Sequence, residues 1–422
     1  MKLKFGFLGF VLVAAFFMAQ GNLPAETLDW EKILKEANNK NPALISARQS
    51  LDMAKISYRS SFTNFYPSIS GSVGWEKSGP SGGGGDEDYY RFYGKLSVPF
   101  GVSGFKDSEE VGSRRIRLKI EEAELRSAEA GVVYNLKIAF AGALRAEKNV
   151  SLTEEILKRR EINRDLVKLK YEAGREDKGA YLRTEADYYQ SQYEYGKAVR
   201  DMKTAKKNLL KEIGRDDFGG FENITVTGSL TAVSLPAAVS FDELIMESPE
   251  YLSAGFERDL AGLNFKFKKA ALFPEVSLTG SSSESGSFSD SAGSQWSAGA
   301  EMSYSFLSSG KDIYNRQLAK IGAHKADENF RAVRQRLLYR YQKAWDELTD
   351  AAEGLKVRKK YYAASAERAR IVQEKYINGL VSYQDWDSVE KEFISAQKSL
   401  LAEEYGVFTA LADWKRLLAE GE

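Results

Sequence analysis

The chain has no cysteine among its 422 residues. This excludes disulfides, thiolate metal sites, thiol catalysis and a lipid-modified N-terminal cysteine. Histidine is almost as scarce. The single one, His324, lies among Ala323, Lys325 and Ala326 with no second ligand in sight, so no zinc site is expected. Neither sign of charge is in excess, with 60 Lys and Arg against 60 Asp and Glu. That balance removes the electrostatic footprint of a nucleic-acid partner. The phosphate-cradling phrases and the Gly-x-Ser-x-Gly elbow are missing too. The glycines at 82–85 lack the following lysine and the helix register, and read as a loop. Carboxylates are plentiful but fall on solvated helix positions. Neither an enzyme nor a cofactor is expected.

Long apolar runs are also missing after the first twenty residues. Met1-Lys2-Leu3-Lys4 is a basic start, Phe5 to Met18 is apolar or Gly throughout, and Ala19-Gln20-Gly21 supplies small residues. This pattern predicts a secretory signal peptide over residues 1–21, cut after Gly21 or, alternatively, after Ala25. A retained anchor helix is the other reading, but the run is shorter than the roughly 20 residues a span needs. An exported protein of this composition that sits in a membrane must do so with strands.

What the chain does contain is written twice. Asn41-Pro42 and Phe65-Tyr66-Pro67-Ser68-Ile69 recur as Ser248-Pro249 and Leu272-Phe273-Pro274-Glu275-Val276. Leu96-Ser97-Val98-Pro99-Phe100 with Gly104 recurs as Met302-Ser303-Tyr304-Ser305-Phe306 with Gly310, and Lys170-Tyr171-Glu172-Ala173-Gly174 as Lys375-Tyr376-Ile377-Asn378-Gly379. The offset stays between 205 and 207 residues, too long for a solenoid unit, and points to a two-fold pseudo-symmetric chain. The first repeat is expected over 22–217, a linker and side excursion over 218–240, and the second repeat over 241–422.

Each repeat alternates two periodicities. Helical spacing runs from Leu28 to about Phe65, interrupted at Asn41-Pro42. Strand alternation follows in hairpins over 67–100 and 274–306. Ile69, Gly71, Val73 and Trp75, with Phe92, Gly94, Leu96, Val98 and Phe100, form an apolar side opposite Arg91, Tyr93, Lys95 and Ser97. In the second copy Val276, Leu278, Gly280, Trp296, Ala298, Ala300, Met302, Tyr304 and Phe306 oppose Ser297, Gly299, Glu301, Ser303 and Ser305, with a Ser/Gly loop expected over 281–293. Helical spacing then resumes over about 107–171, 178–213, 311–376 and 383–418. Sixty-odd residues of helix would reach roughly 90 Å, a length suited to coiled-coil-like walls.

The apolar side fits lipid, and the Ser, Gly, Lys and Glu side fits a watery lumen, which would receive Arg91, Lys95 and Glu301. A half-buried sheet covered by helices is the competing reading. Four strands cannot stand alone in hydrocarbon, because their edges would be unpaired. Two chains would supply eight strands and three would supply twelve.

The ordered set of signal peptide, Asn-Pro helix, aromatic-Pro strand entry, Gly/Ser hairpin, long helix, Tyr-x-x-Gly turn and returning helix, all repeated, resembles the TolC-like outer-membrane efflux protein family over essentially the whole mature chain. The resemblance implies a mainly α fold with a membrane β-barrel portion: a homotrimer sharing a twelve-stranded barrel that continues into a long periplasmic α-helical barrel. It implies a passive outer-membrane conduit for small-molecule or polypeptide export, partnered by a periplasmic adaptor protein, an inner-membrane transporter and outer-membrane lipid. The tips near 171–178 and 376–383, with Tyr171, Gly174, Tyr376, Gly379 and Leu380, would dock the adaptor. Asp385, or Asp387 two positions on, would line the pore constriction. Tyr171 and Tyr376 would either bond across neighbouring helices or serve as ordinary interface aromatics. A secreted coiled-coil structural or adhesion protein without a pore is the alternative.

Overall fold

The structure, a computed structural model, describes residues 26–78, 87–216, 218, 224–230, 240–268, 275–287, 292–303 and 310–419. The expected signal peptide, the glycine loop at 79–86, Tyr304 to Phe306 and most of the 218–240 linker lie outside the described residues.

The chain opens with β1 (Glu26–Leu28), α1 (Trp30–Lys40) and α2 (Pro42–Ser61), then a 3-10 turn at Phe62–Phe65. Asp29 starts α1 by accepting the Lys32 amide at 2.8 Å. Asn41 both ends α1 and starts α2. Its Oδ1 accepts the amides of Ala43 and Leu44, its Nδ2 donates to the Glu212 carbonyl, and Pro42 needs no donor at the first helical position. The interruption expected at Asn41-Pro42 is therefore a cap. Leu28, expected at the start of a helix, is instead the last residue of β1.

The hairpin β2 (Ser68–Ser78) and β3 (Glu87–Gly101) leads into α3 (Val102–Glu172) and α4 (Lys178–Ile213). After β4 (Ile224–Val226), the second copy supplies α5 (Phe241–Glu247), α6 (Pro249–Phe267), β5 (Glu275–Ser287), β6 (Gly293–Ser303), α7 (Lys311–Ile377) and α8 (Tyr383–Leu417). Ser248 caps α6 with Pro249 behind it, as Asn41 and Pro42 do for α2.

The chain divides into two compact units, each drawing on both repeats. The first comprises Met1–Ile45, Ala128–Phe241 and Tyr339–Glu422, and the second comprises Ser46–Ser127 and Asp242–Leu338. The core of the first unit contains Ile33, Leu136, Leu209, Leu210, Ile213 and Tyr341, all buried. Here β1 pairs in parallel with β4, Glu26 opposite Ile224 and Leu28 opposite Val226. This pairing was not among the sequence expectations.

The second unit holds an antiparallel sheet in the order β2-β3-β5-β6, so the two hairpins join through β3 and β5. Register keeps the two faces chemically distinct. Ile69 opposes Leu96, Val73 opposes Phe92 and Trp75 opposes Tyr90, and the same face continues through Leu278, Ala300 and Met302. Ile69, Val73, Trp75, Trp296 and Met302 are all more than 60 % exposed. The expected loop over 281–293 is shorter than the sequence suggested. β5 continues to Ser287, because the ladder from β3 extends to the Tyr89–Ser287 pair.

Candidate functional site

Two groups of residues carry the functional expectations, one in each unit. The first is the pair of helix-turn-helix tips. α3 ends where Gly174 turns left-handed at φ +68°, with Arg175 N–H bonded to the Lys170 carbonyl and Gly174 N–H to that of Tyr171. α7 ends identically: Gly379 has φ +75°, Leu380 N–H bonds to Lys375, and Gly379 N–H to Tyr376. This double bond satisfies the last helical carbonyls, and an L-residue at either glycine would be strained. Three residues later a side chain restarts each helix. Asp177 accepts the Ala180 amide at 2.9 Å, and Ser382 accepts the Asp385 amide at 3.1 Å.

Each tip carries a pair of stacked rings at matching positions. Tyr171 lies on Tyr181 at 5.7 Å between centroids, and Tyr376 on Trp386 at 4.4 Å, both within 4° of parallel. The second stack is core: Tyr376 and Trp386 are each 1 % exposed, packed with Val167 and Ala180 of the first repeat. The Lys170 ammonium sits 3.9 Å above the Tyr376 ring and donates to the Tyr376 carbonyl. The Tyr376 hydroxyl donates to Glu176 at 3.1 Å. Burial, with Glu176 beside it, raises the Tyr376 phenol well above the ordinary tyrosine value. Burial and the nearby Asp387 push the Tyr383 phenol up to about 12.

The two candidate acids differ. Asp385 is exposed and accepts the Ser382 hydroxyl at 2.7 Å, completing a reciprocal cap. Asp387 is mostly buried, bonded by Lys391 at 2.5 Å, with Arg160 at 3.7 Å, and Asp187 shares both cations. Leu380 stands 72 % exposed at the turn. Buried as it is, Tyr376 supports the turn from inside and offers no docking surface of its own.

Behind the tips lies a pair that sequence reasoning missed. Glu390 is fully buried and receives two bonds from Arg159, at 2.6 and 2.5 Å, and a longer one from Asn163 at 3.4 Å. Arg159 also bonds Gln373 and lies over the Phe393 ring. The hydrogen bonds to Glu390 raise the Arg159 pKa further above its already high value. No local pattern marks a pair 231 residues apart. The offset of 205 would, however, have paired Lys170 with Lys375 and Tyr181 with Trp386.

The second group lies on the polar face of the sheet. Arg91 opposes Gly74 and Ser285, Lys95 opposes Ser70 and Ser281, and Glu301 opposes Ser277. All three therefore share the face that carries the serines, and Ser281 and Ser297 there exchange a hydrogen bond at 2.8 Å. Among the described residues no group of three or more His, Cys, Asp or Glu could hold a metal ion.

The sequence model of the family described as outer membrane efflux protein matches residues 33–215 and 241–420, one stretch in each repeat. The chain belongs to this family. It is accordingly the outer-membrane channel component of an export system, with a long periplasmic extension. It is a conduit, neither an enzyme nor a structural or adhesion protein. Curated relatives of this outer membrane efflux protein include the cation efflux system protein CusC of Escherichia coli K12, 23 % identical over 90 % of this chain and 85 % of that one. The probable outer membrane lipoprotein SilC of Salmonella typhimurium is 22 % identical with the same coverage. In the absence of cysteine, a thioether-linked lipid has no attachment point in the present chain. The Campylobacter jejuni CmeC outer membrane channel shares the fold at a TM-score of 0.82, with 16 % identity over 93 % of this chain and 85 % of that one.

Proposed function

We propose that three copies of this outer membrane efflux protein close their sheets into one twelve-stranded barrel. Its serine-rich face, with Arg91, Lys95 and Glu301, lines the lumen. The observation that carries this reading is the sheet itself: four strands, two open edges at β2 and β6, and one exposed apolar face. Unpaired strand edges cost several kcal/mol per orphaned group in hydrocarbon, so each edge must meet another copy. Two copies would give eight strands, whose interior side chains fill. Three give twelve and leave room for cargo.

In this assembly the helices extend into the periplasm, and the tips around Gly174, Gly379 and Leu380 meet a periplasmic adaptor that couples the conduit to an inner-membrane transporter. Asp385 is the better constriction residue, because Asp387 is already engaged by Lys391 and Arg160. The Tyr376–Glu176 bond and the Lys170 contact hold the tip in its resting form. The transporter selects the cargo, and the likeness to CusC makes metal cations the first cargo to test.

Planar-bilayer recording tests the conduit. Purified protein should give discrete current steps, and the doubly loosened variant Lys170→Met with Tyr376→Phe should give larger ones. An outer-membrane trimer electrically silent in both forms would refute the reading.

A further inference from the structure

The two tips are built alike, but among the described residues they are covered unequally. At the constant offset of 205, Lys170 corresponds to Lys375, Val167 to Val372, Tyr171 to Tyr376, Tyr181 to Trp386, Glu185 to Glu390 and Asn163 to Arg368. Within the chain the first repeat's Val167 and Lys170 close over the second repeat's stack. Tyr181 packs at the edge of that cluster, but Tyr171 has no such cover among the described residues: it is 36 % exposed against 1 % for Tyr376. The lysine that would close over it, Lys375, is exposed.

We infer that the Tyr171–Tyr181 stack is a socket for a second copy of this chain, closed by Lys375 of the partner subunit lying over the Tyr171 ring and bonding its carbonyl. This rests on the trimeric reading and names the contact that would close it. Charge agrees: Glu185, which accepts the Tyr181 hydroxyl at 3.1 Å, corresponds to Glu390, the acceptor for Asn163. The partner subunit's Arg368, which bridges Glu392 of its own chain at 2.8 Å, therefore falls beside Glu185. Each copy gives a lysine on one side and receives one on the other, a head-to-tail contact that closes into a ring.

The copies depart at two positions that bond within the chain. Arg159 corresponds to Ala364, which offers no counterpart to the two bonds Arg159 gives Glu390. Glu176 corresponds to Val381, so no partner carboxylate reaches the Tyr171 hydroxyl as Glu176 reaches that of Tyr376. The seam between copies thus lacks the counterparts of the Tyr376–Glu176 and Arg159–Glu390 bonds that hold the seam within a chain.

The absence of cysteine makes the test direct. The double variant Tyr171→Cys with Lys375→Cys, extracted as the intact assembly, is treated with a short bifunctional thiol reagent and run on a denaturing gel. Covalent dimers and trimers are expected, and neither single variant should give them. The control pair Lys170→Cys with Tyr376→Cys should link within one chain and stay at monomer mass. Should Tyr171→Cys disturb the tip, Glu185→Cys with Arg368→Cys reports the same seam. An assembly of trimer mass whose engineered pairs stay monomeric, while the control pair reacts, overturns the contact alone. A monomer in native mass measurement overturns the trimeric reading with it.

Discussion

Replacing Arg159 by methionine should loosen the tip more than any exposed charge change. Glu390 has no exposed surface, and two of its three bonds come from that guanidinium. With Arg159 gone, the carboxylate keeps only Asn163 at 3.4 Å. Stranding a buried charge in this way costs about 3–5 kcal/mol. The loss falls on the tip, because helices joined by a few side-chain pairs open as local units. At about 1.4 kcal/mol per decade, hydrogen exchange over residues 159–172 and 376–392 should accelerate by about two to three and a half decades. Exchange at residues 136–144 should stay as in the parent. The double variant Arg159→Met with Glu390→Leu removes both charges and should recover most of the protection. Mass-spectrometric hydrogen exchange on detergent-solubilised protein reads all three. Unchanged exchange in the single variant, or equal acceleration in single and double, would mean that the Arg159–Glu390 pair does not hold the tip.

Gly379→Ala should cost about 1–2 kcal/mol, because a Cβ is strained at its positive φ, and Gly379→Asn should cost less. Melting followed by far-UV circular dichroism would rank the two. Arg215, just past the end of α4, donates two bonds to Glu26 at 2.9 Å and two to Glu36 at 2.8 Å, and this clamp predicts a pH dependence. Its hydrogen bonds hold the Glu26 carboxyl at about 2, below the ordinary value of 4.5. A lowered folded-state value adds stability that is complete above pH 4.5 and lost as the pH falls towards 2. The parent should therefore outmelt Arg215→Met at pH 6, modestly given the partial exposure of the pair, and lose that advantage near pH 2. On the barrel face, Arg91→Gln with Lys95→Gln should make the channel more cation-selective, read as a shift in reversal potential across a salt gradient. An unchanged reversal potential would place those side chains outside the lumen.

Most of the fold was legible because its signals are periodic. The four long helices end within a few residues of where their spacing stops, and the hairpin faces follow simple alternation. The tips were legible because Gly174 and Gly379 mark reversals that only glycine makes easily. The β1–β4 pair was not. Three residues carry no period, and their partner lies almost two hundred residues away. The serines of 281–287 read as loop because serine favours turns, yet a strand with neighbours on both sides holds its shape whatever its propensity. Asp387 resembled Asp385 until Lys391 and Arg160 separated them, and a pairing drawn from three helices leaves no mark in any one of them.

The shared barrel is tested most directly by the native mass of the protein extracted in detergent from isolated outer membranes. Three chain masses in one particle, found in that membrane fraction, is the predicted result. A water-soluble monomer, or a protein missing from the outer membrane, would contradict it.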